Sequence, residues 1–225
     1  MIFFRRNIHE SVLNAFNQIT FNVVIVVAIL GCTPTQTEES ISVADNTEIE
    51  SMFLKDIEIR ELDAKTDTVI LERYDRVHRN RIFEMLANKL VVTPMDQYRA
   101  ALILQHTAGK FCDGQLTSVS PENFLLAYHL SSSALASLKA QKDTTIIKKY
   151  NFPRMVALNY DRYLLYTNGY QKYGTQFVFD EQTGEMLLAP IDTTLATDEE
   201  RKQYNVSTLK ELMLQHKMKP LANTE

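Results

Sequence analysis

The chain is expected to be mainly α: a helical bundle or stacked helix pairs, with a small C-terminal β-hairpin. Three observations predict this. From Ile49 onward, apolar residues recur at three- and four-residue spacing. Helix-start signals stand at Thr93-Pro94-Met95-Asp96 and at Ser120-Pro121-Glu122. Only after Asn168-Gly169 does the period change to two. No internal period marks a repeat array.

The N-terminal residues read as an address. Arg5 and Arg6 precede an apolar run from Phe21 to Leu30 that only Asn22 interrupts. A bilayer takes about 20 apolar residues, so the run is too short to span one, but it has the length of a signal-peptide core. It ends Ile29-Leu30-Gly31-Cys32, which resembles the bacterial lipobox, with the small residue Gly31 directly before Cys32. The resemblance implies cleavage after residue 31, diacylation of Cys32 and a stable anchor, since two acyl chains hold where one is marginal. The next residues, TPTQTEESISVADNTEIE, are acidic, rich in Ser and Thr, and without an apolar period. The expected organisation is therefore a signal peptide over 1–31, a solvated tether over 32–49 and one helical domain over 50–225. Thr33 is not the aspartate that retains enteric lipoproteins at the inner membrane, so the expected location is the outer membrane, on its periplasmic or surface face. After Cys32 only Cys112 remains, with no partner for a disulfide, and it reads as a structural thiol with Lys110 as its only near basic neighbour.

In the body, Ile49, Met52, Phe53 and Ile57 make one helix face, and a polar break over Asp63 to Asp67 follows. The next stripe is Val69, Ile70, Tyr74, Val77, Arg81, with Phe83, Met85 and Leu86 beyond it. Between these lie Glu72, Arg73, Asp75, Arg76, His78 and Arg79, a charged face expected to pair internally as Glu72–Arg76 and Asp75–Arg79. Thr93 caps the next helix, Pro94 suits its first position, and its stripe of Met95, Tyr98 and Leu102 ends in Gln105 and His106. A Gly/Cys/Asp loop leads to a long helix from Phe124 to Gln141 whose small residues Ser131, Ser132, Ala134 and Ala136 allow close packing. Residues 139–149 read as a polar connection. Pro153 opens the helix that carries Met155, Leu158, Arg162 and Leu165 on one line, and Gly169 closes it. Gln176 to Phe179 and Met186 to Leu188 flank Glu181-Gln182-Thr183-Gly184, a hairpin that Pro190 ends. Short polar helices from Asp198 to Tyr204 and after a cap at Ser207 finish the chain.

A formal charge of −4 and the lack of any Lys/Arg run exclude a nucleic-acid surface. Signatures for phosphate loops, nucleophile elbows and paired-cysteine metal sites are missing, so neither cofactor nor metal is expected. The polar residues inside apolar patterns remain. Asp161 lies between Leu158 and Leu165, and a buried carboxylate requires an arginine or hydrogen-bond donors. His106 and His129 follow apolar pairs in the same way. An inward Asp with two inward His suits a His–Asp acid/base pair or a two-histidine, one-carboxylate metal site, but also plain structural hydrogen bonding. Tyr173-Gly174-Thr175-Gln176, with Gln171, offers backbone access, a hydroxyl and amides. It would line a polar pocket or satisfy a helix-to-hairpin junction.

Taken together, Ala100-Ala101…Gln105-His106, Ala157…Asp161-Arg162-Tyr163-Leu164, Gln171…Tyr173-Gly174-Thr175-Gln176, Pro190-Ile191-Asp192 and Glu199…Arg201 resemble a bacterial family of uncharacterised domains, a domain of unknown function. The resemblance spans roughly Asp75 to Lys217, and the Gly-Thr-Gln turn is its specific part. Members often carry Gly directly after the His, where this chain has Thr107 and a longer loop. The resemblance implies a common fold and site but names no reaction. The expected ligand-binding residues are Gln105, His106, Asp161, Arg162, Gln171, Tyr173, Thr175 and Gln176, with His106, Asp161 and Arg162 the catalytic candidates. Three functions stay open: an envelope domain binding a small polar ligand or peptide, a hydrolase-like enzyme using His106 with Asp161, and a scaffold for other envelope proteins.

Overall fold

The computed structural model describes residues 43–61, 68–106, 109–112, 115–118 and 120–220; of these, only the backbone is described at 68–70, 109–112 and 115–118. The expected signal peptide, the lipidation site Cys32 and most of the tether lie outside the described residues, as do the polar break at 63–67 and the side chain of Cys112. The chain is mainly helical, with eight helices among the described residues: α1 (Thr47–Glu61), α2 (Thr68–Ala87), α3 (Pro94–Gln105), α4 (Glu122–Ala140), α5 (Thr144–Lys149), α6 (Phe152–Asn168), α7 (Asp198–Gln203) and α8 (Leu209–Gln215). None of these is long and apolar enough to cross a membrane.

Helix α3 is central to the first half, because its short side chains leave room on several sides. Ala100, Ala101, Ile103 and Leu104 are all but fully buried and meet Ile49 and Met52 of α1, Ile82 and Met85 of α2, and Ala127 of α4. Its start is a full capping box. Thr93 Oγ1 accepts from Asp96 N–H at 3.0 Å, and Asp96 Oδ2 accepts from Thr93 N–H at 3.2 Å. Helix α4 lies against both α3 and α6, and Ala127, Ser131 and Ala134 form its close-packed face. Ala136, expected on that face, is exposed, being two residues out of step with Ala134. A second core joins Phe53, Met95, Tyr98, Leu135, Leu138, Phe152, Met155 and Val156, and so ties α6 to α3, α4 and α1.

The hairpin follows the sequence closely. Strands β3 (Phe177–Asp180) and β4 (Glu185–Leu188) pair antiparallel from Phe177↔Leu188 to Asp180↔Glu185, with Gly184 at φ +69° in the turn. Residues 217–219 join the far edge, where Leu188 N–H donates to Lys217 O and Lys219 N–H donates to Leu188 O, both at 2.9 Å.

Several expectations are corrected. The domain starts before residue 50. Asn46 caps α1 through Oδ1, its N–H donates to Asp96 Oδ1 at 2.8 Å, and Asp45 takes Thr93 Oγ1 at 2.7 Å and Arg99 Nη1 at 2.9 Å. The end of the expected tether is thus docked on the start of α3 by the Asp45 carboxylate and the Asn46 N–H. On α2 the inward stripe is Asp75, His78, Arg79, Ile82 and Met85, while Tyr74, Val77 and Phe83 are exposed. Asp75 accordingly pairs with Arg60 of α1 at 2.6 Å, and Arg81 with Glu48 and Glu84. The expected Glu72–Arg76 and Asp75–Arg79 pairs are not among the ion pairs of the described residues. The loop after His106 contains an antiparallel pair, β1 (Gly109–Cys112) with β2 (Gln115–Ser118). Residues 144–149 are the short helix α5, which Asp143 caps by accepting from Ile146 N–H at 3.0 Å. Pro121, not Ser120, is the N-cap of α4, without a side-chain cap bond, and Thr208 with Glu211, rather than Ser207, caps α8.

Candidate functional site

Asp161 sits on the inner side of α6 with no exposed surface. Its carboxylate meets the turn at the end of the helix. Oδ1 accepts from Lys172 N–H and Tyr173 N–H, both at 2.8 Å, while Oδ2 accepts from Thr175 N–H at 3.0 Å and Thr175 Oγ1 at 2.8 Å. Burial pushes the carboxyl up, and the bonds from Tyr173, Thr175 and Lys172 oppose it. All four contacts are donors, so the geometry is that of an ionised acceptor.

The carbonyls of the same turn point the other way, toward Arg201 of α7. Its Nη1 donates to Tyr173 O and its Nη2 to Lys172 O at 2.9 Å, and the side chain is fully buried. Between the two clamps Gly174 is at φ +89°, and a Cβ there would lie 2.4 Å from Leu212 Cδ1 and 3.0 Å from Ile191 Cδ1. The left-handed backbone therefore favours glycine, and any larger residue would also have to push aside the Leu212 and Ile191 methyls.

Gln171, also fully buried, closes the turn by imitating a strand. Its Oε1 accepts from Gln176 N–H at 2.8 Å, and its Nε2 donates to Gln176 O and Ala189 O, both at 2.9 Å. Its backbone pairs with Pro190 and Asp192. Tyr173 packs its ring on Tyr204 with centroids 4.9 Å apart and donates its hydroxyl to Glu200 at 2.9 Å. The structure therefore brings Asp161, Gln171, Tyr173 and Thr175 together, but as a closed junction.

Arg162, the neighbour of Asp161, faces the other way. Its Nε donates to Gln176 Oε1 at 3.1 Å and its Nη1 to the Gln105 carbonyl at 2.6 Å. Gln176 in turn donates through Nε2 to Thr175 Oγ1 at 2.9 Å. The Gln-His, Asp-Arg and Gly-Thr-Gln segments are thus linked, with Arg162 as the connecting group. Burial pulls its pKa down, the Tyr166 phenol opposes that, and the charge of Arg60 adds to it. Among the described residues, no carboxylate lies within ion-pair range of Arg162. Gln105 Oε1 is buried without a partner among the same residues.

His106, at the C-cap of α3, meets a different carboxylate from the one expected. Its Nδ1 lies 3.1 Å from Asp56 Oδ1, 3.0 Å from Asp56 Oδ2 and 3.1 Å from Arg60 Nε, all on α1. Asp161 is spent on the turn, so the His106–Asp161 pair does not form. Arg60 Nη2 reaches on to Asp75 at 2.6 Å and to Asp56 at 3.3 Å. Burial pushes the Asp75 carboxyl up and the nearby His78 imidazole down. His129 is exposed, its ring tilted against that of Tyr128, because the buried face of α4 runs through Ala127 and Ser131 instead. No cluster of metal-ligating side chains exists among the described residues.

Asp56, Arg60, Asp75 and Arg201 were missed by the sequence reading. Asp56 carried a usable signal, since it continues the Ile49, Met52, Phe53 stripe by one further helical step. Arg201 stood out only among the residues of the family resemblance; no periodic pattern marked it, because α7 is polar throughout and its burial comes from the turn it grips. Two shallow surface depressions, along Thr47–Glu58 of α1 and along Met213–Met218, include none of the expected site residues. No family model matches this chain, and neither a curated protein nor a solved structure matches it.

Proposed function

We propose that this chain is a lipid-anchored protein of the bacterial cell envelope whose helical domain binds a small polar ligand. The ligand would carry an anionic group, as a free acid or the carboxyl end of a peptide. The family resemblance through the Gln-His, Asp-Arg and Gly-Thr-Gln motifs is part of the same proposal. One observation carries it: Arg162 is a guanidinium held by two neutral acceptors, with the Tyr166 phenol and a second guanidinium, Arg60, near enough to act on it in opposite senses and with no carboxylate in ion-pair range among the described residues. An unpaired charge in a partly buried place is costly, and a bound anion would relieve that cost with strong bidentate hydrogen bonds. Asp161 cannot serve, because its oxygens are occupied.

The expected result is a saturable rise of the thermal midpoint with inorganic phosphate or succinate at constant ionic strength. Saturation to 100 times Kd is worth about 2.7 kcal/mol, or roughly 5–10 °C for a domain of this size. Arg162→Gln should abolish the rise. If neither anion exceeds sodium chloride, or the variant responds as wild type does, the binding proposal fails. For the anchor, Cys32→Ser should leave the precursor uncut and without acyl label in a palmitate-labelling experiment; normal processing of the variant would refute it.

A hydrolase-like reading is favoured by one contact, the approach of Asp56 to His106 Nδ1, which is how a base is oriented. It replaces Asp161 with Asp56 in the orienting role. The scaffold reading draws on exposed apolar side chains of the hairpin and α8, such as Phe179 and Leu214.

A further inference from the structure

We infer that His106 is a proton-operated exchange point, accepting from Arg60 when neutral at Nδ1 and donating to Asp56 when protonated there. The geometry offers one ring nitrogen to two groups of opposite demand. Arg60 Nε–H, at 3.1 Å, requires a lone pair on Nδ1, whereas the Asp56 carboxylate, at 3.0 and 3.1 Å, requires a proton. Both cannot be met at once.

A second observation marks Asp56 as the waiting partner. Its Oδ2 is buried and has no other hydrogen-bond donor among the described residues, so it is an unsatisfied acceptor whenever Nδ1 is bare. Leaving such an oxygen unpaired is unfavourable, and one proton on the imidazole corrects it.

Charge points the same way. Among the described residues, the groups around His106 are Asp56 and Arg60 from α1 and Asp75 from α2, with His78 of α2 acting on the same two acids and Arg162 of α6 joined through the Gln105 carbonyl. Asp56, Asp75 and Arg60 sum to one negative charge when both acids are ionised, and a proton on His106 neutralises it. His78 is the competing site, but burial holds its imidazole below the usual histidine range. In linkage terms His78 opposes acid conditions: its folded form takes the proton later than the unfolded chain, so stability is lost as pH falls below the ordinary histidine value. His106 is the imidazole whose Nδ1 stands between a carboxylate and a guanidinium.

The exchange alters how the helices are tied. With Nδ1 bare, Arg60 bridges α2 through Asp75 and α3 through His106. With Nδ1 protonated, α3 is held by Asp56, and Arg60 serves the two carboxylates alone. The added charge also lies next to the carbonyl that Arg162 holds, so acid would favour an anion there. That last clause rests on the binding proposal, whereas the exchange of partners is a property of the free protein.

The test is nitrogen NMR of the full-length protein with labelled histidine imidazoles, His106 being assigned from the peak lost in His106→Gln. At pH 8 Nδ1 of His106 should show the shift of a bare nitrogen, and by pH 5 both ring nitrogens should carry protons. Arg60→Met should move the proton onto Nδ1 at pH 8, since among the described residues only Asp56 then faces it. Asp56→Asn should displace the His106 titration to lower pH, and it serves as the decisive arm if Arg60→Met does not fold. The inference is overturned if Nδ1 is protonated at pH 8 in the wild type, if it stays bare at pH 5, or if neither variant changes its state. Phosphate is left out of all samples, so failure of the exchange is distinguishable from failure of anion binding.

Discussion

Asp161→Ala should unfold far more easily than wild type, losing about 3–5 kcal/mol, the usual consequence of removing one side of a buried charged network. The physical reason is specific to the turn. Three backbone N–H groups, of Lys172, Tyr173 and Thr175, lose their acceptor at once, in a place where Asp161, Tyr173 and Thr175 are all buried. Arg201 is left with less compensating charge, for the Asp161 carboxylate acts on it through the turn. Asp161→Asn would not rescue, because half of an amide is itself a donor and would face N–H groups. Urea melts are the measurement. A midpoint and slope within about 0.5 kcal/mol of wild type would mean that the clamp contributes no more than a surface contact.

Arg201→Met is the second large effect, with an expected loss of about 3 kcal/mol. Methionine keeps much of the stem's apolar packing, so the loss isolates the guanidinium. What is lost is the pair of bonds to the Lys172 and Tyr173 carbonyls. The two variants should not add. Each lets the same short turn relax, so in the double variant the second substitution should cost at least about 1 kcal/mol less than it does alone. Independent additivity in the same urea experiments would show that the two clamps do not hold one unit.

Much of the fold was legible because local chemistry and final structure agree. The capping box at Thr93 and Asp96, the left-handed Gly169 and the alternation on either side of Gly184 are decided within a few residues. The helix α2 was not legible in this way. Its apolar residues Tyr74 and Val77 suggest one inward face, yet Asp75, His78 and Arg79 occupy it, because Arg60 of α1 offers a partner no local pattern reveals. The site was half legible for a related reason. Leucines around Asp161 indicate burial, and burial of an acid requires donors, so the need for partners followed from the sequence. Which donors they are depends on where the chain folds back, and so Arg201 and the Asp56–His106 contact stayed hidden. The expected pairing of His106 with Asp161 failed on the same point: the half-buried imidazole and the buried acid each found another partner, Asp56 and the Lys172–Thr175 turn.

The turn between α6 and the hairpin has its donors held by one helix and its acceptors by another. This has a consequence for how such a sequence can drift. A neutral residue at 201 would leave Asp161 as a buried anion facing a loosened turn, and a neutral residue at 161 would leave Arg201 as a buried cation doing likewise. Either change alone is a liability, and any replacement at 174 must also contend with Leu212. The acid, the glycine and the arginine therefore form a heritable unit scattered along the chain, one that lineages should keep whole or abandon whole.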